Sequence, residues 1–306
     1  MTTETARART AGLEAEVGDA LGDPGIRVAP WREGVDYFAD LARHPDGRIA
    51  GVVRSPRHEV LQTDYEGAVD FADVLAKEVA VLGLLGEAGV PAPAVLHWRR
   101  RGAPDGISWM LCEHIEHQPT EELNADQQQE LGRITRMIHS IEPGATVGRP
   151  PDPWPSYVLG RLTDRLRAAE KYCPGLPVDR VLSRWADGAP AGAERTDALL
   201  HLDLRPPNLC VRQGSIAAVI DVANAITGDP WFELARIRFC GLFTEAFRAG
   251  YGLDAADVEH HRGILDFYEL DIAALLTVVA VEEIDDQELL ASSRARLEHL
   301  CAQIVR

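Results

Sequence analysis

Apolar and polar residues alternate through "VDYFADLARH" and again through "RIAGVVRS", with "PDG" between them. A period of two broken by a Pro/Gly turn predicts a β-hairpin whose second strand ends near Arg54. The period then lengthens. In "DFADVLAKEVAVLGLLGEAG" the residues Val74, Leu75, Val79, Leu82 and Leu85 recur at helical spacing, and the run stops at glycine with "VPAP" beyond. "AVLHW" and "ISWMLCEHI", separated by the turn "RRRGAPDG", predict a second hairpin. Strands wrapped around a single helix make a small lobe.

Past residue 118 the texture is helical. "DQQQELGRITRMIHSI" sets Leu131, Ile134, Ile138 and Ile141 on one face. After the Pro-rich stretch "RPPDPWP", two further helices are predicted in "VLGRLTDRLRAAEKY" and "VDRVLSRWA". A strand pair flanks "HLDLRPPN", His201 to Asn208, and helices run from there to the end. Two consecutive prolines exclude a helix or a central strand, so this stretch reads as a loop.

That loop carries a histidine, an aspartate, an arginine and an asparagine. Beyond it, "LCVRQGSIAAVID" reads as a strand, a turn at "RQGS" and a strand ending on Asp221. A hairpin of this length returns Asp221 to the level of Asn208, so Asp203, Asn208 and Asp221 converge at one end. Two carboxylates and an amide oxygen are hard donors that suit Mg²⁺. A loop aspartate also suits the task of accepting a proton from an attacking hydroxyl.

The pattern of His201, Asp203 and Asn208, with Asp221 thirteen positions further on, resembles the catalytic loop and metal-binding aspartate of the kinase-like superfamily. "GDPWFELAR", Gly228 to Arg236, is similar to the helix start that follows the metal aspartate in aminoglycoside phosphotransferases, and no APE segment is present. "LAKEVAVLGLLGEAGVPAPAVL" and "LGRITRMIHSIE" also resemble stretches of that family, and "GVDYFADLARHPDGRIAGVVRSPR" is similar to macrolide phosphotransferase relatives. The likeness thins in the inserted helices and over the last seventy residues.

The resemblance implies an α+β, bilobal protein-kinase-like fold: a small β-rich N-lobe with one helix and a larger, mostly α C-lobe. Residues 1–112 would form the nucleotide-binding lobe, 113–120 the hinge or connector, and 121–306 the catalytic and substrate-binding lobe, with inserted helices at about 150–197. It implies phosphoryl transfer from ATP or GTP, with Mg²⁺, to a small-molecule hydroxyl. Asp203 would be the base, Asn208 and Asp221 the metal ligands, and His201 a brace for the loop. Arg205 would stabilise the transferring charge. The early strands hold no lysine, so Arg54 takes the place of the usual strand cation, with Glu78 as its ion-pair partner. Gly34 alone represents the glycine-rich loop, and Glu113 and His114 in the connector would offer backbone groups to the base.

Composition narrows the rest. A net charge of −17 argues against nucleic acid and anionic membranes as partners. The acidic surplus is larger beyond residue 112, which would suit a cationic acceptor. The cluster Glu282, Glu283, Asp285 and Asp286 is a candidate wall for one, although a solvated helix end accounts for it better. The longest apolar run, "IAALLTVVAV", is too short to span a bilayer. The first residues lack the apolar core of a signal peptide, and the five cysteines follow no paired spacing, so a cytoplasmic monomer or homodimer is expected. The acceptor is expected to be antibiotic-like, in resistance or self-protection. The alternatives are a kinase for a metabolite such as choline, homoserine or a sugar, and an inactive nucleotide-binding module.

Overall fold

A computed structural model describes residues 3–34, 36–63, 67–101, 107–144, 147–187 and 195–306. Five strands make the first sheet: β1 (Arg27–Glu33), β2 (Tyr37–Arg43), β3 (Ile49–Pro56), β6 (Val95–Arg99) and β7 (Trp109–Cys112). Their order is β1-β2-β3-β7-β6 and every neighbouring pair is antiparallel. Both predicted hairpins are present. The second one's turn falls on residues 102–106, outside the described residues. A smaller hairpin, β4 (Val60–Thr63) with β5 (Gly67–Asp70), leads into helix α2 (Phe71–Glu87).

The sheet is covered on both faces, and β7 shows why. Its four residues are all buried, and successive side chains point to opposite sides. Met110 and Cys112 join α2 through Leu75, Leu82 and Leu85, while Trp109 and Leu111 join a separate cluster with Leu13 and Val17. The last two belong to α1 (Thr3–Leu21), so the expectation of one helix in this lobe is corrected: its described residues form two. Leu13 and Val17 are spaced four apart in an Ala/Glu/Arg-rich segment, a stripe too thin to register as periodicity. Burying each is nonetheless worth about 1.5–3 kcal/mol. Arg9 fastens the same helix to the sheet, donating twice to the buried Asp40 carboxylate (2.6 and 3.0 Å) and once to Ser55 Oγ (3.0 Å).

The second lobe comprises α3 (Ala125–His139), α4 (Trp154–Glu170), α5 (Val178–Asp187), α6 (Pro230–Phe239), α7 (Glu245–Tyr251), α8 (Ala255–His260), α9 (Arg262–Glu282) and α10 (Gln287–Ile304). Apolar on nearly every side, α9 is the spine around which α4, α6 and α10 pack. Helices α3 and α7 meet through glycine. A Cβ on Gly132 would lie 2.1 Å from the Phe247 carbonyl, and one on Gly250 would lie 1.9 Å from that of Gln129. This close crossing carries Tyr251 to the side of His139.

Strands do flank "HLDLRPPN", but they are not paired with each other. β8 (Ala198–Leu200) pairs with β11 (Ile226–Gly228), and β9 (Leu209–Arg212) pairs with β10 (Ser215–Val219). A two-residue turn with positive φ at Gln213 (54°) and Gly214 (86°) gives β9 a nearer partner than β8. The prolines also admit more order than expected: Pro206–Asn208 forms one 3₁₀ turn. Prolines at its first positions lack only N–H groups that the turn would leave unpaired. Among the described residues no helix is long and apolar enough to cross a membrane.

Candidate active site

The site begins with how α6 starts. At Gly228, where the chain leaves β11, a Cβ would lie 2.2 Å from the Trp154 ring, so only glycine fits. Asp229 then caps the helix, accepting the Trp231 N–H at 3.0 Å, and Pro230 takes the first helical position. This start aims two side chains at the 201–208 loop. Glu233 accepts the Leu202 N–H at Oε1 (2.6 Å) and the His201 N–H at Oε2 (3.0 Å). Its Oε2 is also 2.9 Å from His139 Nε2, whose other ring nitrogen is 2.7 Å from the Tyr251 hydroxyl. Arg236 donates to the Leu202 carbonyl at 2.7 Å.

Leu202 needs that hold, because its φ of 65° is left-handed for a branched residue. Behind it, Asp271 gathers Arg161 (2.9 Å), Arg165 (2.7 Å) and Arg236 (3.5 Å) in the core. Burial would raise the carboxyls of Glu233 and Asp271. The hydrogen bonds from His139 and from the His201 N–H outweigh it at the first, and the three arginines outweigh it at the second, so both lie below the usual range.

Held this way, the loop presents Asp203. Its N–H donates to His201 Nδ1 at 3.3 Å, so the buried imidazole braces the turn. Oδ1 accepts from Arg205 Nε at 2.8 Å and Oδ2 from Asn208 Nδ2 at 2.5 Å. Asn208 Nδ2 also donates to the Asp203 carbonyl at 3.0 Å, which leaves Oδ1 as the amide's accepting end. The Ile220 N–H donates to the Asn208 carbonyl at 3.0 Å, fixing Asp221 beside this group. Asp221, like Leu202, has a φ of 65°.

From the other lobe, Arg54 completes the cluster. Nη2 lies 3.1 Å from Asp221 and 3.2 Å from Glu78, and the guanidinium stacks 4.6 Å from the Tyr37 ring centroid. Burial pushes the Glu78 carboxyl up to about 7, with the Arg54 charge opposing it. Burial opposes charge on Arg54 as well, but Glu78 and Asp221 together raise its pKa further.

These groups close one end of a cleft between the lobes, which is otherwise lined by residues such as Val52, Leu82, Met110, Ile115 and Ile220. Glu113 lines it too, though its N–H is already donated to the Ala94 carbonyl at 2.8 Å. His114 does not line the cleft and instead packs its ring against Trp31, with Ile115 and His117 facing inward. Gly34 sits in the β1–β2 turn, its N–H bonded to the Tyr37 carbonyl at 2.9 Å, and the next residue lies outside those described. Of the acidic cluster, Glu283 lines a second cavity, Glu282 accepts from Tyr172 and Asp286 caps α10. His261 stacks on the half-buried Trp231 at 4.0 Å.

The residues that sequence reasoning missed are Glu233, Arg236, His139 and Asp271. Two of them stood inside "GDPWFELAR". The signal was a charged pair in a helical stretch, Pro230 to Ile237, whose other residues are apolar, since such charges are buried only with partners.

A sheet lobe and a helical lobe, with Asp221, Glu78 and Arg54 lining the cleft between them, define a kinase-like phosphotransferase. The chain belongs to the phosphotransferase enzyme family (APH), whose profile matches residues 52–264. Among solved structures it is similar to the GDP complex of aminoglycoside 2′-phosphotransferase-IIIa, at 18% identity over 96% of this chain and 99% of that one, with a TM-score of 0.67. A putative aminoglycoside phosphotransferase from Ralstonia eutropha JMP134 aligns at 14% identity over 97% of each chain, with a TM-score of 0.70. A macrolide 2′-phosphotransferase from Brachybacterium faecium aligns at 19% identity over 90% of this chain and 96% of that one, with a TM-score of 0.60. The search of curated proteins returned no sequence match.

Proposed function

We propose that this enzyme transfers the γ-phosphate of ATP or GTP to a hydroxyl of an antibiotic-like small molecule. The observation that carries the reading is that Arg54 and Glu78 of the sheet lobe meet Asp221 at the cleft, and that the Ile220–Asn208 backbone hydrogen bond ties this hairpin end to the loop carrying Asp203. Asp203 has one oxygen fixed by Arg205 and one by Asn208, a geometry in which the carboxylate orients an acceptor hydroxyl and takes its proton. Arg205 then offers positive charge to the negative charge on the transferring phosphoryl group, and Arg54 holds phosphate oxygens from the opposite side. His201 keeps the loop in place rather than exchanging protons.

Mg²⁺ fits the donor set. Asp221 and the Asn208 amide oxygen are hard ligands, and Mg²⁺ on a nucleotide takes one or two protein ligands with phosphate oxygens and water completing the shell. Among the described residues no three His, Cys, Asp or Glu side chains form a metal cage, which matches a cation that arrives with its nucleotide. When bound, Mg²⁺ would neutralise charge on the phosphates. The test is a nucleotide-consumption screen with Mg²⁺ over aminoglycosides, macrolides, peptide and nucleoside antibiotics, and common metabolites. Acceptor-dependent turnover is expected with an antibiotic; turnover with a metabolite alone would replace the acceptor assignment. Nucleotide binding without turnover of any acceptor would identify an inactive module.

A further inference from the structure

Besides the nucleotide cleft, a second cavity touches the 201–208 loop at Leu202 and is also lined by Asn224, three residues past Asp221. Resting on the reading above, we propose that it receives the acceptor, and that the acceptor has a largely hydrocarbon body with at most one positive charge. A polycation is the wrong shape of charge for this cavity.

The walls make the case. Phe71 and Val74 contribute from α2, Leu61 and Val69 from the β4–β5 hairpin, and Leu275 and Val279 from α9. Leu275 and Val279 lie four apart on one face of the helix and stay half-buried in a segment whose other residues are mostly buried. An apolar strip left partly uncovered in a cavity that touches the 201–208 loop is suited to burying apolar ligand surface.

Charge points the same way. The chain as a whole has a net charge of −17, yet the charged residues lining this cavity are Asp36 and Glu283 against Lys77 and Arg161. They balance, so the acidic surplus of the molecule lies elsewhere. The acidic cluster at the end of α9 does not alter this. Glu282 is engaged by Tyr172 (2.7 Å) and Lys171 (3.9 Å), and Asp286 accepts the N–H groups of Glu288 and Leu289 as the α10 cap. Arg161 is held by Asp271, so its positive charge is a fixed part of the wall and repels ammonium groups. Each ammonium that entered without a carboxylate would lose its hydration for nothing in return. One amine could be met by Glu283 with Asp36, which are close enough for the Asp36 charge, after burial, to help raise the Glu283 carboxyl. Three or more could not.

The test measures kcat/KM, with Mg²⁺ and nucleotide, for neutral and monocationic macrocyclic lactones against aminoglycosides bearing three or more amines. Transfer is confirmed by the mass of the phosphorylated product. The apolar class is expected to win by about 100-fold, and Leu275→Asp and Val279→Asp each to raise its KM about tenfold with a smaller change in kcat. Thermal melts show whether each variant is folded, and the selectivity of the unaltered enzyme needs neither. Aminoglycosides turned over equally well or better would overturn the proposal. So would a KM for the lactones that neither folded variant moves. Nucleotide consumed with water while both acceptor classes stay unphosphorylated would sink the acceptor assignment but leave the kinase reading standing. Failure to bind or consume nucleotide at all would instead sink that reading.

Discussion

The two walls of the nucleotide cleft are built differently. On the helical side, the 201–208 loop is tied by Glu233, Arg236 and His139, all buried, and its left-handed Leu202 is pinned through both its N–H and its carbonyl. On the sheet side, Arg54 stands with Glu78 and Asp221. The difference teaches where positional accuracy is invested. A base must sit within hydrogen-bond reach of one proton, whereas phosphate charge can be met by a mobile side chain and a cation that comes with the nucleotide. Variants on the helical wall should therefore strike kcat and stability, and variants on the sheet wall should strike nucleotide KM.

The largest effect is expected from Asp203→Asn, which keeps the shape of the side chain and removes the carboxylate proposed as the base. Turnover should fall by about 10²–10⁴, while the nucleotide dissociation constant moves by less than about threefold. Steady-state kinetics with isothermal titration read both, and a variant retaining most of its turnover would remove Asp203 from the chemistry. Next comes Glu233→Ala, which leaves the His201 and Leu202 N–H groups and the His139 ring without their acceptor in the core. A loss of about 3–5 kcal/mol in unfolding free energy is expected, seen by chemical denaturation. Under conditions where the variant is still folded, kcat should drop with little change in nucleotide KM. A mainly KM effect would show that the two walls are not divided as argued.

Arg54→Lys sharpens the comparison from the other side. Both carboxylates are met by the same atom, Nη2, so a single ammonium can serve them in its place. Stability should change by less than about 1 kcal/mol, whereas nucleotide KM should rise about tenfold because the planar fork that binds phosphate oxygens is lost. Equal nucleotide KM values for the two forms would mean that Arg54 serves the ion pair alone.

Much of this arrangement was legible in the sequence because it is local. Asp203, Asn208 and Asp221 are joined by one loop and one short hairpin, and their spacing alone brings them together. The Arg54–Glu78 pair was legible too, since it needs only the end of one strand and the second turn of the next helix. What stayed hidden rests on contacts between distant segments. Glu233 reaches back more than thirty residues to the loop, and His139 meets it from α3. Helix α1 escaped notice because it is anchored by two apolar side chains and by Arg9, whose partner Asp40 lies in β2. The charge balance of the acceptor cavity was also out of reach: it depends on which acidic residues face inward, and composition counts them all alike.

The smallest effect expected is a pH dependence on the sheet wall. Burial, the leading cause, raises the Glu78 carboxyl from 4.5 to about 7, so at mildly acid pH it is protonated and its ion pair with Arg54 is lost. The sign for stability follows from linkage. The folded chain holds this proton more tightly than the unfolded one, so the group's contribution is most favourable below pH 4.5 and declines as pH rises to about 7. For nucleotide binding the sign is opposite in sense: a charged Glu78 is what fixes Arg54 near the phosphates, so affinity should rise through the same neutral range. Glu78→Gln removes the titration while keeping a side chain of the same shape that can accept from Arg54. Nucleotide affinity of the unaltered enzyme should increase severalfold from pH 6 to pH 8, and that of the variant should be flat. Thermal melts across pH 4.5 to 7 should show the unaltered chain losing ground relative to the variant as pH rises. Parallel curves in both measurements would mean that Arg54 keeps Glu78 ionised throughout, which would make the sheet wall as firmly set as the helical one.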